Sequence, residues 1–145
     1  MPLWLSCSGI GLTLAITAVQ DVRRRKVAGA VIFGSTIVAL SLSGLYGWSG
    51  FIEALVGLGV AAAVGIMWAV VLPCVRRGWS GVGDALLFLP IGAWCGWSVF
   101  LWGALLGCVA MAPLALVLRR QRIKSAPFAP ALLVGVAMAQ LLALT

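Results

Sequence analysis

The chain has no histidine and only three acidic residues, Asp21, Glu53 and Asp84. Without histidine there is no imidazole base for a serine- or cysteine-type hydrolase and no imidazole ligand for a metal. The four cysteines, Cys7, Cys74, Cys95 and Cys108, form no CxxC pair. They offer no Cys/His zinc set and read as small apolar packing residues, so no metal and no cofactor is expected. Charge of either sign is scarce, at 9% of 145 residues. That is too little to cover the surface of a soluble domain of this size.

What fills the chain instead is apolar. Hydrophobic residues make up 63% of it, and the mean hydropathy is +1.18. Lipid is the solvent that tolerates such a chain. Backbone groups in lipid must be satisfied internally, so the apolar runs are predicted to be helices. Eighteen glycines fit this, because small residues let membrane helices approach closely. The expected fold is all-α, a polytopic membrane protein with residues 1–145 as one membrane-embedded domain.

The apolar segments run 3–19, 28–45, 51–72, 84–96, 98–118 and 128–144, with a turn expected near Gly96, Trp97 and Ser98. The stretch from Asp84 to Leu118 is too long for one ordinary span of about 20 residues. Charge placement decides how it is divided. All ten basic residues fall in three clusters: Arg23, Arg24, Arg25 and Lys26; Arg76 and Arg77; Arg119, Arg120, Arg122 and Lys124. With six helices, all three clusters share one side of the membrane; with five, the third would lie opposite the others. The positive-inside rule therefore predicts six helices, cytoplasmic basic loops and both termini outside. The first apolar run, followed rather than preceded by basic residues, reads as a signal anchor. A net charge of +7 in a soluble protein would suggest nucleic acid. Confined to these loops, it suggests a lipid bilayer and no nucleic-acid partner.

Glu53 falls near the outer end of the third helix and reads as an interfacial charge reaching water. Asp21 ends the first helix beside the basic run. Asp84 opens the fourth helix after Ser80, Gly81, Val82 and Gly83. Each aspartate alone has a plain structural reading, as an interfacial carboxylate or a helix N-terminal residue. Together they map to one membrane face at similar depth, and ionisable groups near hydrocarbon are functional candidates by default. Two carboxylates held close share one proton. The ionised member can then take a proton from water while the protonated member polarises a carbonyl. The glycines beside Asp84 give backbone freedom and room for a substrate strand.

These residues resemble a known family, the type IV prepilin peptidases, which are GxGD intramembrane aspartic proteases. Asp21 followed by Val22, Arg23, Arg24, Arg25, Lys26, Val27, Ala28 and Gly29 resembles the family's aspartate, basic stretch and Ile-Pro-Asn. Gly81, Val82, Gly83 and Asp84 are the GxGD signature itself. Ala126, Pro127, Phe128, Ala129, Pro130, Ala131 and Leu132 resemble its Pro-Phe-Gly-Pro segment. The resemblance covers nearly the whole chain. It implies Asp21 and Asp84 as the catalytic pair, with Gly81, Gly83, Pro127, Phe128 and Pro130 as active-site motif or substrate-binding residues. It implies as partner and substrate a prepilin or pseudopilin, cut at its leader on the cytoplasmic face of the bacterial inner membrane. Pilus assembly or type II secretion would be the process.

The sequence departs from the family at two places. Ile-Pro-Asn becomes Val27, Ala28 and Gly29, and the lysine common two places after the GxGD aspartate is Leu86. No paired CxxC motifs are present, so the chain resembles the short form without the N-terminal methyltransferase segment. Two rival classes stand beside this reading. One is a small transporter or channel subunit using Asp84 at a broken helix; it needs no second aspartate and no Pro-Phe-x-Pro segment. The other is a pilus-assembly membrane factor that binds pilins without cutting them. Elsewhere, Trp4, Trp48 and Trp97 read as an aromatic belt. The GxxxG spacings at Gly92–Gly96 and Gly103–Gly107 read as helix-packing surfaces, within the chain or between subunits. Pro73, Pro90 and Pro113 are expected to end or kink helices.

Overall fold

The computed structural model describes the backbone of residues 3–24, 29–75, 85–120 and 128–143, with side chains at 5–20, 29–71, 85–111, 113 and 131–143. Among these residues the fold is all-α. The helices are α1 (Leu3–Arg24), α2 (Gly29–Leu45), α3 (Trp48–Val75), α4 (Phe88–Arg120) and α5 (Phe128–Leu142). Helix α1 continues past Val19 into the basic run, because hydropathy marks the lipid edge and not the end of the hydrogen-bonded helix. Helices α2 and α3 meet at Tyr46 and Gly47. Gly47 has φ of 112°, a conformation open to glycine at little steric cost.

Helix α4 is broken. Gly96 has φ of 73° and ψ of 174° inside an otherwise helical run. Phe88 and Phe100 lie on either side of it, with ring centroids 5.6 Å apart. A straight helix would hold residues twelve positions apart about 18 Å from each other along its axis. The chain therefore turns sharply at Gly96, and α4 is two limbs joined by an elbow. The sequence placed the turn across Gly96, Trp97 and Ser98; helix resumes directly after the glycine. Pro113 lies inside the second limb and Pro73 near the end of α3, and helical backbone continues past both. Losing one backbone N–H does not by itself stop a helix.

Glycines set the helix spacing. A Cβ on Gly57 would collide with the Gly92 carbonyl oxygen and stand 2.9 Å from Gly96 Cα. Farther along α3, a Cβ on Gly65 would stand 3.0 Å from the Ala85 carbonyl oxygen. Helix α3 thus runs antiparallel to the first limb with almost no side chain between them. On the second limb, Gly103 meets Val136 and Gly107 meets Leu132 of α5, which brings its own Gly135 against the pair. Both GxxxG spacings are used within the chain. Close backbone approach is how such helices gain dispersion contacts without a hydrophobic driving force.

The core lies around the first limb of α4. Leu87, Phe88, Ile91 and Phe100 are buried with Ile10 and Leu14 of α1, Ile32 of α2, and Leu132 and Val136 of α5. Trp68 meets Phe88 edge-on at 6.3 Å. A polar seam ties α1, α2 and α4: Trp94 Nε1 donates to Ser35 Oγ at 2.9 Å, and Ser35 Oγ shares a hydrogen bond with Thr13 Oγ1 at 2.7 Å. The outward faces are apolar. Ile37, Ile66, Met67 and Val109 are exposed, which suits lipid rather than water.

Candidate active site

Asp21 lies in the last turn of α1. On that helix Ile10, Leu14 and Thr17 are fully buried, whereas Leu12 and Ile16 are exposed. Steps of three and four residues keep a helix position on one face, so position 21 falls on the buried stripe. Thr17, one turn earlier, bonds back to the Thr13 and Leu14 carbonyl oxygens, both at 3.0 Å. Its hydroxyl is therefore satisfied within α1.

Asp84, Gly81, Gly83 and Pro127 lie outside the described residues, as do the side chains of Asp21, Phe128 and Pro130. The chain resumes at Ala85, whose carbonyl abuts Gly65. Phe88, where α4 begins, lies about 12 Å along the limb from the Gly96 elbow, and Asp21 lies about 22 Å along α1 from Ser6, a residue beside that elbow. Both ends of interest therefore stand away from the elbow.

Helix α5 starts at Phe128 and returns to the elbow, where Gln140 Nε2 donates to Cys95 Sγ at 3.3 Å. Its buried stripe includes Leu132 and Val136, while Val134 and Met138 are exposed on the outer face. A proline in the first turn costs no intrahelical bond, which accounts for Pro130 structurally. Among the described residues no three His, Cys, Asp or Glu side chains gather.

Two helices are long and apolar enough to cross a membrane, Trp48–Val71 and Phe88–Met111. The architecture is that of a helical membrane protein. The chain belongs to the type IV leader peptidase family, whose model matches residues 9–116, and it is thus a peptidase of the leader-cleaving kind. The match includes Asp21 and Asp84 and stops short of Pro127, Phe128 and Pro130. No curated protein and no solved structure matches the chain.

Proposed function

We propose that this peptidase is an intramembrane aspartic endopeptidase. Its substrates are type IV prepilin-like or pseudopilin chains, and it removes their leaders at the cytoplasmic face of the bacterial inner membrane. The observation that carries the reading is the match to the leader peptidase family over a stretch that includes both Asp21 and Asp84. Ionisable groups near hydrocarbon are functional candidates, and a pair of aspartates supplies both the acid and the base.

In this mechanism Asp21 and Asp84 share one proton. The ionised carboxylate accepts a proton from water as the water oxygen attacks the scissile carbonyl carbon. The protonated carboxylate donates to the carbonyl oxygen. Collapse of the tetrahedral intermediate breaks the C–N bond, and the proton taken from water passes to the departing amine. Gly81 and Gly83 leave the substrate backbone room to approach. Pro127, Phe128 and Pro130 are assigned to substrate binding on the strength of the family segment they resemble. Six crossings, two of them the limbs of α4, put the three basic clusters in the cytoplasm.

The test is co-expression with a prepilin, read by gel shift and N-terminal sequencing. Asp21→Asn and Asp84→Asn each abolish cleavage while the protein stays in the membrane, because asparagine keeps the size but cannot ionise. Groups that act as a unit are strongly non-additive, so either loss is nearly total. Near wild-type cleavage by Asp21→Asn would show the two-aspartate mechanism to be wrong.

A further inference from the structure

At the end of the bundle away from Asp21, the structure forms a half-open cavity of about 200 Å³. Its wall is assembled from the start of α1, the first turns of α3, the Gly96 elbow and the last turn of α5. Glu53, Gln140, Ser6 and Cys95 bring polar atoms to it, and Trp94 and Val99 supply apolar surface. The Glu53 carboxylate stands against the elbow, where a Cβ on Gly96 would be 3.1 Å from Glu53 Oε1. Glu53 has no hydrogen-bond or ion-pair partner among the described residues. The stretches that line the cavity, 5–20, 48–71, 85–111 and 131–143, contain no Lys or Arg at all. Helix termini of both signs meet here, since α1 and α3 begin and α5 ends at this place. Among the described residues Glu53 is the one charged side chain of the wall, and a cation is its complement.

The chemistry of the walls narrows the cation. A bare calcium ion needs six to eight oxygen ligands, and among the described residues no cluster of acidic side chains is present to provide them. An organic ammonium needs less: one carboxylate, a few acceptors and an aromatic surface. Gln140 donates its amide N–H to Cys95 Sγ, leaving its carbonyl oxygen as an acceptor. The Trp94 indole is held by its N–H bond to Ser35. Hydroxyl and amide acceptors favour an ammonium that carries N–H groups over a trimethylated one. Glu53 also lies about 7.5 Å along α3 from Trp48, which is 75% exposed. That spacing sets the cavity at headgroup depth.

We propose that this cavity binds a primary alkylammonium group. Such a group comes either from an ethanolamine phospholipid in the adjacent leaflet or from a soluble amine. The inference is independent of the peptidase reading, since it concerns neither aspartate. The test uses the full chain in nanodiscs that mix phosphatidylethanolamine and phosphatidylcholine of identical acyl chains, with retained lipid counted by native mass spectrometry. The wild type retains the ethanolamine lipid with a preference of about ten-fold, the ratio that corresponds to one modest charge contact. Glu53→Gln brings the preference close to one. Val99→Phe, which fills the cavity without touching the charge, does the same and keeps the test valid should Glu53→Gln fold poorly. Ethanolamine added to phosphatidylcholine discs separates the sources. If it raises the melting temperature of the wild type but not of Glu53→Gln, while the lipids are retained equally, the ligand is a soluble amine. Retention of the lipid preference by both variants refutes the proposal, as does equal retention of the two lipids with no response to ethanolamine.

Discussion

Adding one methyl group at three glycines of α3 gives a graded test of how helix packing governs catalysis. Gly59 faces open space, with no atom within 4 Å of a built Cβ. Gly59→Ala should leave cleavage unchanged and raise stability slightly, since alanine is the better helix former by about 0.5–1 kcal/mol. At Gly65 the new carbon stands 3.0 Å from the Ala85 carbonyl oxygen, and the neighbour is backbone that cannot rotate away. It must yield by roughly 0.3–0.5 Å to reach ordinary contact. Ala85 directly follows the proposed catalytic Asp84, and catalytic groups tolerate only about 0.5 Å of displacement. A loss of about three- to ten-fold in kcat follows, with the melting temperature little changed. At Gly57 the carbon would collide with the Gly92 carbonyl oxygen and stand 2.9 Å from Gly96 Cα. Relief needs roughly 1 Å of separation between α3 and the first limb of α4, a displacement that can cost about 100-fold in rate. Overpacking of this kind also destabilises by about 1–3 kcal/mol. The assay is leader cleavage by purified protein, with melting followed in the same detergent. Wild-type rate and stability in Gly57→Ala, or damage by Gly59→Ala equal to that at Gly57, would refute the packing argument.

Two further outcomes are expected. Reporter fusions at residues 24, 77 and 121 should read cytoplasmic, and fusions at 47 and 145 outside; an outside signal at 121 would mean that the two limbs of α4 do not both cross the bilayer. Ser35→Ala leaves the Trp94 indole N–H and the Thr13 hydroxyl without their shared partner. It should cost about 0.6–1.7 kcal/mol, the range found for interhelical hydrogen bonds in membranes, read as a fall in unfolding midpoint.

Much of the architecture was legible because it rests on local signals. The apolar runs announce α2 and α3, and Gly96 marks the elbow since only a chain without Cβ adopts its dihedral angles readily. The aspartates stand out because so few charges exist. Helix ends near the basic loops were less legible: α1 continues to Arg24, since charged residues leave the lipid without leaving the helix, and α3 runs through Pro73 to Val75. The partners of Gly92 and Gly103 could not be read either. A GxxxG spacing records a willingness to pack closely, while Gly57 and Gly135 become its partners only in the folded bundle. Glu53 is exposed and without a partner among the described residues, as expected of an interfacial charge. Its cavity could not be read, because Gln140 and Ser6 come to it from opposite ends of the chain and no local pattern links them.

The first limb of α4 is short for a membrane helix. From Phe88, where α4 begins, to Gly96 it rises only about 12 Å, whereas the hydrocarbon layer is about 30 Å thick. Helix α3, with 28 residues, extends about 42 Å. None of residues 85–96 is exposed, so the shortfall lies inside the bundle, walled by longer helices, and not against lipid. A short limb so enclosed ends at a depth that intact hydrocarbon would keep dry, and there the protein, not the bilayer, sets what can reach it.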